Sequence, residues 1–293
     1  MLFFTGEQLL NLTEEMNLSI AEIMLLREIE LEETTEDFIK VNISLALSAM
    51  FNAIEKGLVL DKKSLGGLIG GQAKTLMTGL AEGRFHYLDE KSLKVASYAM
   101  AVMEHNAVMG VIVAAPTAGS SGILPAVLKY AREEYEFDDE TLMEGFLTAA
   151  AVGLLFTLNA SVSGAEGGCQ AEIGTATAMS AAALVAMKGG SPKDCLDAAG
   201  FVISNIMGLV CDPIAGLVEE PCMKRNALGA LNALLCADFV LMGIGGLIPF
   251  DEVVKAMHTV GKQMPESLRE TALGGIAATP TAKHIEKELF EIR

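Results

Sequence analysis

The chain has 293 residues, a mass of 30.9 kDa and a formal net charge of −17, with a pI near 4.6. An apolar content of 51% excludes a disordered chain, and the acidic balance argues against binding to nucleic acid or to an anionic membrane surface, which both need a basic face. Aromatics are only 5% and Trp is absent, so the core must be filled by Leu, Ile, Val, Met and Ala, which pack closely as helices.

Helix signals begin at once. Thr5-Gly-Glu-Gln8 and Ser19-Ile-Ala-Glu22 read as capping boxes, in which a hydroxyl and a carboxyl or amide satisfy orphan amides reciprocally. Leu9, Leu10, Leu12 and Met16, then Ile20, Ile23, Met24 and Leu26, follow at helical spacing. Glu28 to Asp37 reads as a solvated turn, and the next helix is expected to run to about Ile54 and stop near Gly57. Residues 106–128 and 145–165 are uncharged runs close to spanning length. Both are diluted with Gly, Ala, Ser, Thr and Asn and lack an aromatic belt, so they are expected as buried helices with no membrane partner. Gly110-Val-Ile-Val113 is the only strand-like run, and Ser191-Pro192 reads as an N-cap followed by Pro at the first helical position.

The expected fold is therefore all-α, one domain over residues 1–293 built as a multi-helix bundle with buried central helices. The first thirty residues are expected as an arm packed on it, and the segment after Pro249 at the periphery. Five cysteines is an odd number, and no signal peptide is evident, so reduced thiols and a cytoplasmic location are expected.

Glycine pairs at Gly66-Gly67, Gly70-Gly71, Gly167-Gly168 and Gly245-Gly246 mark turns, close approach to a ligand, or close helix packing, the last being the expectation for Gly245-Gly246. Ala115-Pro-Thr-Ala-Gly-Ser-Ser-Gly122 feeds a helix beginning near Ile123, so it offers free amides and a positive dipole end to an anion. Thr117, Ser120 and Ser121 add hydroxyls to Gly119 and Gly122. A plain helix cap explains the same pattern. Gly66 to Gly71, with Lys74 following, is either a second ligand loop or a simple helix connection.

Cys169 follows two glycines, Cys211 precedes Asp212-Pro213, and Cys222 follows Pro221, so all three are expected at helix ends or in loops. Cys195 and Cys236 lie inside apolar helical patterns and read as core. The spacing C-x41-C-x10-C is not a compact metal motif, and spacing alone leaves both a metal site and buried thiols open. Glu166, Glu219, Glu220, Lys224 and Arg225 flank the cysteines, with Asn159 and Ser163 close in sequence. Solvated surface is the alternative reading for these charges.

The stretches HNAVMGVIVAAPTAGSSGILPAVL (105–128), SVSGAEGGCQAEIGTATAMSAAAL (161–184) and CDPIAGLVEEPCMKRNALGALNALLCADFVLMG (211–243) resemble the α chain of iron–sulfur L-serine dehydratases. GGLIGGQAK (66–74) and GGIAATPTAKHIEKE near the end extend the resemblance over nearly the whole chain. It implies that Cys169, Cys211 and Cys222 hold a [4Fe–4S] cluster, leaving one iron open as a Lewis acid for the β-hydroxyl of L-serine. Loss of water and hydrolysis of the resulting imine give pyruvate and ammonia, a step in amino-acid catabolism that feeds gluconeogenesis. No pyridoxal phosphate is implied, and no lysine stands in a Schiff-base setting. Thr117, Gly119, Ser120, Ser121 and Gly122 are then candidates for binding the serine carboxylate. The Cα base is not identified, with Lys224 and His105 the weak candidates.

Some members of that family end in a cysteine that occupies the open iron. This sequence ends Leu289-Phe-Glu-Ile-Arg293, so an iron open to water and an oxygen-labile cluster are expected. A Gly-Pro-Ser-Ser-Ser-His-Thr segment carried by single-chain members and separate β chains is also absent. The resemblance thus implies the α subunit of a two-chain enzyme, in an oligomer with a β subunit. A lyase acting on L-cysteine or L-threonine, and a helical binding subunit without a cluster, are the alternatives.

Overall fold

A computed structural model describes residues 2–291; Met1, Ile292 and Arg293, the last two belonging to the cysteine-free tail, lie outside the described residues. The helices are α1 (Gly6–Met16), α2 (Ile20–Leu31), α3 (Glu36–Leu58), α4 (Gln72–Ala81), α5 (Glu90–Ala107), α6 (Ile123–Tyr135), α7 (Asp139–Asn159), α8 (Gly164–Gly167), α9 (Thr175–Met187), α10 (Pro192–Ile206), α11 (Cys222–Leu241), α12 (Phe250–Gln263) and α13 (Pro280–Glu291). The fold is all-α. Among the described residues no strand forms, and the sole bridge pairs Cys211 with Arg269. Gly110 to Val113 is irregular chain, because Ile112 and Val113 pack on the helical core and no second strand lies alongside.

The centre of the molecule is α9, every residue of which is buried. It is ringed by α6, α7, α10 and α11. Such encirclement requires a helix apolar all round, which TATAMSAAALVAM supplies. Two of its hydroxyls turn back toward the preceding turn, Thr177 donating to Ile173 O at 2.6 Å and Ser180 to Ala176 O at 2.8 Å, while the buried Thr175 Oγ1 at the helix start finds no partner. Glycines on α7 seat its methionines. A Cβ at Gly153 would stand 3.0 Å from Met179 Sδ, and one at Gly145 2.8 Å from Met187 Sδ. Each methionine so buried contributes about 1.5–3 kcal/mol of apolar transfer.

Several local expectations meet a different outcome. Ser19 and Glu22 form the complete capping box, whereas Thr5 accepts from Gln8 N at 3.1 Å while the Gln8 side chain goes to Phe4 N instead. The acidic stretch from Glu28 stays helical to Leu31, leaving only residues 32–35 as the turn. As expected, α3 stops near Gly57, at Leu58, and a Cβ at Gly57 would stand 2.0 Å from Ala101 O of α5. The N-terminal segment packs onto the core, with Phe3, Leu9 and Ile23 fully buried. Gly246 serves a loop, donating its amide to Asp197 Oδ2 at 2.8 Å. Ser191 caps α10 ahead of Pro192 as the sequence indicates. The run 106–128 is broken into a helix end, a loop and α6, while the run from 145 lies mostly within α7. By length and composition α3 and α7 could each cross a membrane; 56% of the relevant window of α7 and 28% of that of α3 are buried.

Candidate metal centre

The central helix delivers its N-terminal end to a cysteine-rich site. The short α8 ends at Gly168, whose φ of 75° and near contacts require glycine: a Cβ would stand 2.6 Å from Met264 Sδ. Cys169 follows, and the chain then widens into a π turn, Gln170–Gly174, before α9 begins. Such turns recur where a helix is re-aimed at a functional site. Buried Gln170 fixes this corner, donating to Met257 O at 2.9 Å and accepting from Gly208 N at 2.8 Å. Cys211 lies in extended chain, donating its amide to Leu268 O at 2.9 Å and accepting at its carbonyl from Glu270 N at 2.7 Å. The segment after Pro249, expected at the periphery, therefore closes one side of the site. Cys222 opens α11. Two cis peptide bonds, Ala115–Pro116 and Glu220–Pro221, precede Thr117 and Cys222.

All three cysteines are free thiols, with 2%, 2% and 6% exposure in chain order. Cys169 and Cys211 hydrogen-bond to each other. Cys211 Sγ also donates to Glu172 Oε2 at 3.8 Å. The ligand atoms of Cys169, Glu172 and Cys211 all lie within 4.8 Å of one another. Cys222 is outside that tight set but within electrostatic reach of Cys169 and Glu172. Arg225, one turn into α11, hydrogen-bonds Cys169 and pairs with buried Asp212 at 2.8 Å, while its Nη1 donates to Val210 O at 2.9 Å.

These contacts set the charge state. The hydrogen bond from Cys211 holds the Cys169 thiol below its usual range against the cost of burial, and the Arg225 charge adds to it. Cys211 is pushed up by the same hydrogen bond and by burial. Burial, then the charges of Cys169 and Glu172, push Cys222 up. Burial also raises Glu172, with Thr117 opposing. Cys195 and Cys236 lie on α10 and α11, and burial pushes their thiols up to about 12 and about 11. Both are buried packing residues, and the Cys236 sulfur also accepts from Asn205 Nδ2 at 3.4 Å and donates to Asn232 Oδ1 at 3.6 Å.

The glycine-rich loop 115–122 lies on this site. Thr117 Oγ1 donates to Glu172 Oε1 at 2.8 Å, and a Cβ on Gly119 would stand 3.1 Å from the same oxygen. Ser120 and Ser121 are buried, and the Ser121 hydroxyl donates inward to Ala118 O at 2.8 Å. Gly122 is pressed against α5, where a Cβ would meet Ala99 O at 2.4 Å. Fully buried Asn226 joins loop to cysteine turn: it accepts from Gly122 N at 3.0 Å and donates to Gly119 O at 2.8 Å and Cys222 O at 2.9 Å. The Gly66–Gly71 loop is held by Glu219, which accepts from Ser64 Oγ at 2.5 Å, Gly66 N at 2.8 Å and Leu68 N at 3.1 Å. Ile69 of this loop packs with Cys222 and Met223.

Other flanking residues lie elsewhere. Lys224 pairs with Glu220 at the surface at 2.7 Å. His105 ends α5 beneath Gly110, its basicity lowered by burial and by Lys56. Glu166 is exposed, Asn159 binds Phe4 O and Leu155 O, and Lys74 pairs with Asp61. Sequence reasoning missed Glu172, Asn226 and Asp212. For Glu172 a signal existed: the spacing Cys-x-x-Glu places both side chains on one face of a helical turn. Nothing comparable marked Leu268 to Glu270, whose role depends on a contact across the fold.

Three buried thiols with a carboxylate beside them form a donor set of the soft kind that favours iron–sulfur clusters or zinc. The surroundings leave room for close approach, since a Cβ at Gly164 would intrude to 2.9 Å from Cys211 Sγ. Cys169, Cys211 and Glu172 are close enough to share one metal site, and Cys222 lies near them.

A family model described as serine dehydratase alpha chain matches residues 15–277. The chain is 44% identical to the probable L-serine dehydratase alpha chain of Bacillus subtilis, over 99% of this chain and 96% of that protein. It is also 44% identical to the L-serine dehydratase alpha chain of Peptoniphilus asaccharolyticus, over 98% of each. Against the longer L-serine dehydratase of Streptomyces coelicolor it is 39% identical, over 94% of this chain and 60% of that protein.

Proposed function

The chain belongs to the serine dehydratase alpha-chain family, and from that premise we propose that it is the α subunit of an iron–sulfur L-serine ammonia-lyase. The net reaction converts L-serine to pyruvate and ammonia. Cys169, Cys211 and Cys222 hold a [4Fe–4S] cluster. When bound, that group supplies an open iron acting as a Lewis acid on the departing β-hydroxyl. The observation that carries this reading is the hydrogen bond from Thr117 to Glu172, which seats the glycine-rich loop directly on the buried cysteines.

The chain's own residues have separable tasks. Loop 115–122 receives the substrate carboxylate at the amides that open its turn. Asn226 fixes that loop relative to Cys222. Arg225 offsets the negative charge gathered by the thiolates, and Asp212 holds Arg225 in place. The helix end at Cys169 and the buried surroundings keep bulk water from the sulfurs. A β subunit completes the active site, and further association is expected at exposed apolar side chains such as Phe38, Val41 and Leu45 on α3. The protein is assigned to the cytoplasm.

Pyruvate release tests the substrate. Anaerobically reconstituted α chain combined with its β partner is expected to release pyruvate from L-serine, with kcat/KM at least tenfold above that for L-cysteine or the corresponding oxo-acid release from L-threonine. Preference for either of the others transfers the assignment to that substrate. No turnover of any of them by an iron-loaded pair leaves the non-catalytic alternative. Borohydride trapping of a pyridoxal adduct contradicts the cofactor assignment.

A further inference from the structure

We infer that Glu172 is the residue that receives the substrate's α-ammonium group, and so makes the site specific for amino acids over hydroxy acids. The inference rests on the reading of the three cysteines as cluster ligands. A zwitterionic substrate drawn into a buried site must find an anion for its ammonium group, because an unpaired buried charge is costly.

The carboxylates around the cysteines are mostly committed. Asp212 is paired with Arg225 at 2.8 Å and accepts from Ile276 N at 2.6 Å. Glu219 is filled by one hydroxyl and two amides of the Ser64–Leu68 turn. Glu220 is paired with Lys224 at the surface, and Glu166 is exposed.

Glu172 differs from all of these. Its Oε1 is held by Thr117, the residue that opens the glycine-rich turn. Its Oε2 receives only the Cys211 thiol, in a long contact of 3.8 Å. A metal-bound cysteine is a thiolate and has no proton to donate, so loading the cluster removes that donor. Oε2 is then left beside a ligand thiolate without a partner, and Glu270 lies close enough to add to the negative field. A cationic group placed there pairs with Oε2. Arg225, the cationic side chain of the site, is already turned to Cys169 and Asp212.

Glu172 is also partly exposed, so an incoming group can reach it. Because Thr117 bridges the carboxylate and the loop, the ammonium and carboxylate of one α-amino acid are received by adjacent parts of a single hydrogen-bonded unit.

The test compares L-serine with 3-hydroxypropanoate, which differs only in lacking the amine, on the anaerobically reconstituted α–β enzyme. Glu172→Gln is expected to raise KM for L-serine about ten- to a hundredfold, the loss typical of a charge-assisted hydrogen bond. Binding of 3-hydroxypropanoate, followed by the visible circular dichroism of the cluster, is expected to change less than threefold, with iron and sulfide per chain unchanged. Glu172→Asp, which keeps the charge, is expected to recover part of the L-serine affinity. Should the glutamine variant fail to fold, the aspartate variant still has to weaken L-serine more than 3-hydroxypropanoate. Equal losses for the two ligands, an unchanged KM, or loss of iron from either variant overturns the assignment. Wild-type protein that takes up no iron overturns the cluster reading as well, whereas an iron-loaded variant with unaltered L-serine affinity overturns this inference alone.

Discussion

Replacing Asn226 with alanine tests how the glycine-rich loop is fixed to the cysteine turn. The side chain is fully buried and makes three hydrogen bonds, to Gly122 N at 3.0 Å, Gly119 O at 2.8 Å and Cys222 O at 2.9 Å. A typical buried hydrogen bond contributes about 1 kcal/mol net, and each stranded group costs about 1–3 kcal/mol. Alanine recovers about 0.6 kcal/mol of helix propensity in α11, and water entering the vacated space satisfies part of what is lost. The expected net cost is about 2–3 kcal/mol, or about 2 °C of Tm per kcal/mol in a chain of this size. Urea unfolding of metal-free protein, with the m value unchanged, measures it. Lys224→Gln is the control, expected within about 0.5 kcal/mol because its ion pair is exposed. The alanine variant is also expected to lose affinity for 3-hydroxypropanoate, since Gly119 and Gly122 are no longer held. A cost below about 0.5 kcal/mol would refute the stapling argument.

Two further substitutions test the packing and the charge distribution. Gly57→Ala forces a Cβ to within 2.0 Å of Ala101 O, so α3 and α5 must separate; a loss of about 1–3 kcal/mol or more is expected in thermal unfolding, against a near-neutral Gly245→Ala, whose Cβ would find its nearest neighbour at 3.6 Å. Glu144 is raised by burial and then by Glu22 and Glu140, so its charged form opposes folding. That penalty is absent below the ordinary carboxylate range and grows as pH rises through and above it. Glu144→Gln is therefore expected to stabilise the protein by up to about 1 kcal/mol at pH 7 and by nothing near pH 3, as read by unfolding across pH; a gain independent of pH contradicts the cause.

The helical architecture was legible because its signals are local. Ser19 and Ser191 cap their helices as written, and the uncharged run from 145 lies mostly within α7, whereas the fully buried Thr175–Met187 was not singled out. The helix stop near Gly57 was legible, but the close crossing there was not, since only Ala101 on the facing helix reveals it. At the site, the cysteines and the Thr117 loop were visible as motifs. Their juxtaposition depends on Glu172, Asn226 and the bridge between Cys211 and Arg269. These are long-range contacts in which each partner is an ordinary residue in its own stretch of chain. Gly245-Gly246 was misread for the same reason, since its role is set by Asp197 far away in sequence, and the contact of the segment after Pro249 with Cys211 was equally invisible.

The most direct measurement is iron and acid-labile sulfide per chain after anaerobic reconstitution of the wild type and five single alanine variants. The account predicts about four irons and four sulfides in the wild type, Cys195→Ala and Cys236→Ala, the stoichiometry of a [4Fe–4S] centre, and a clear loss in Cys169→Ala, Cys211→Ala and Cys222→Ala. Zinc without sulfide in the wild type, or five variants that behave alike, would contradict it.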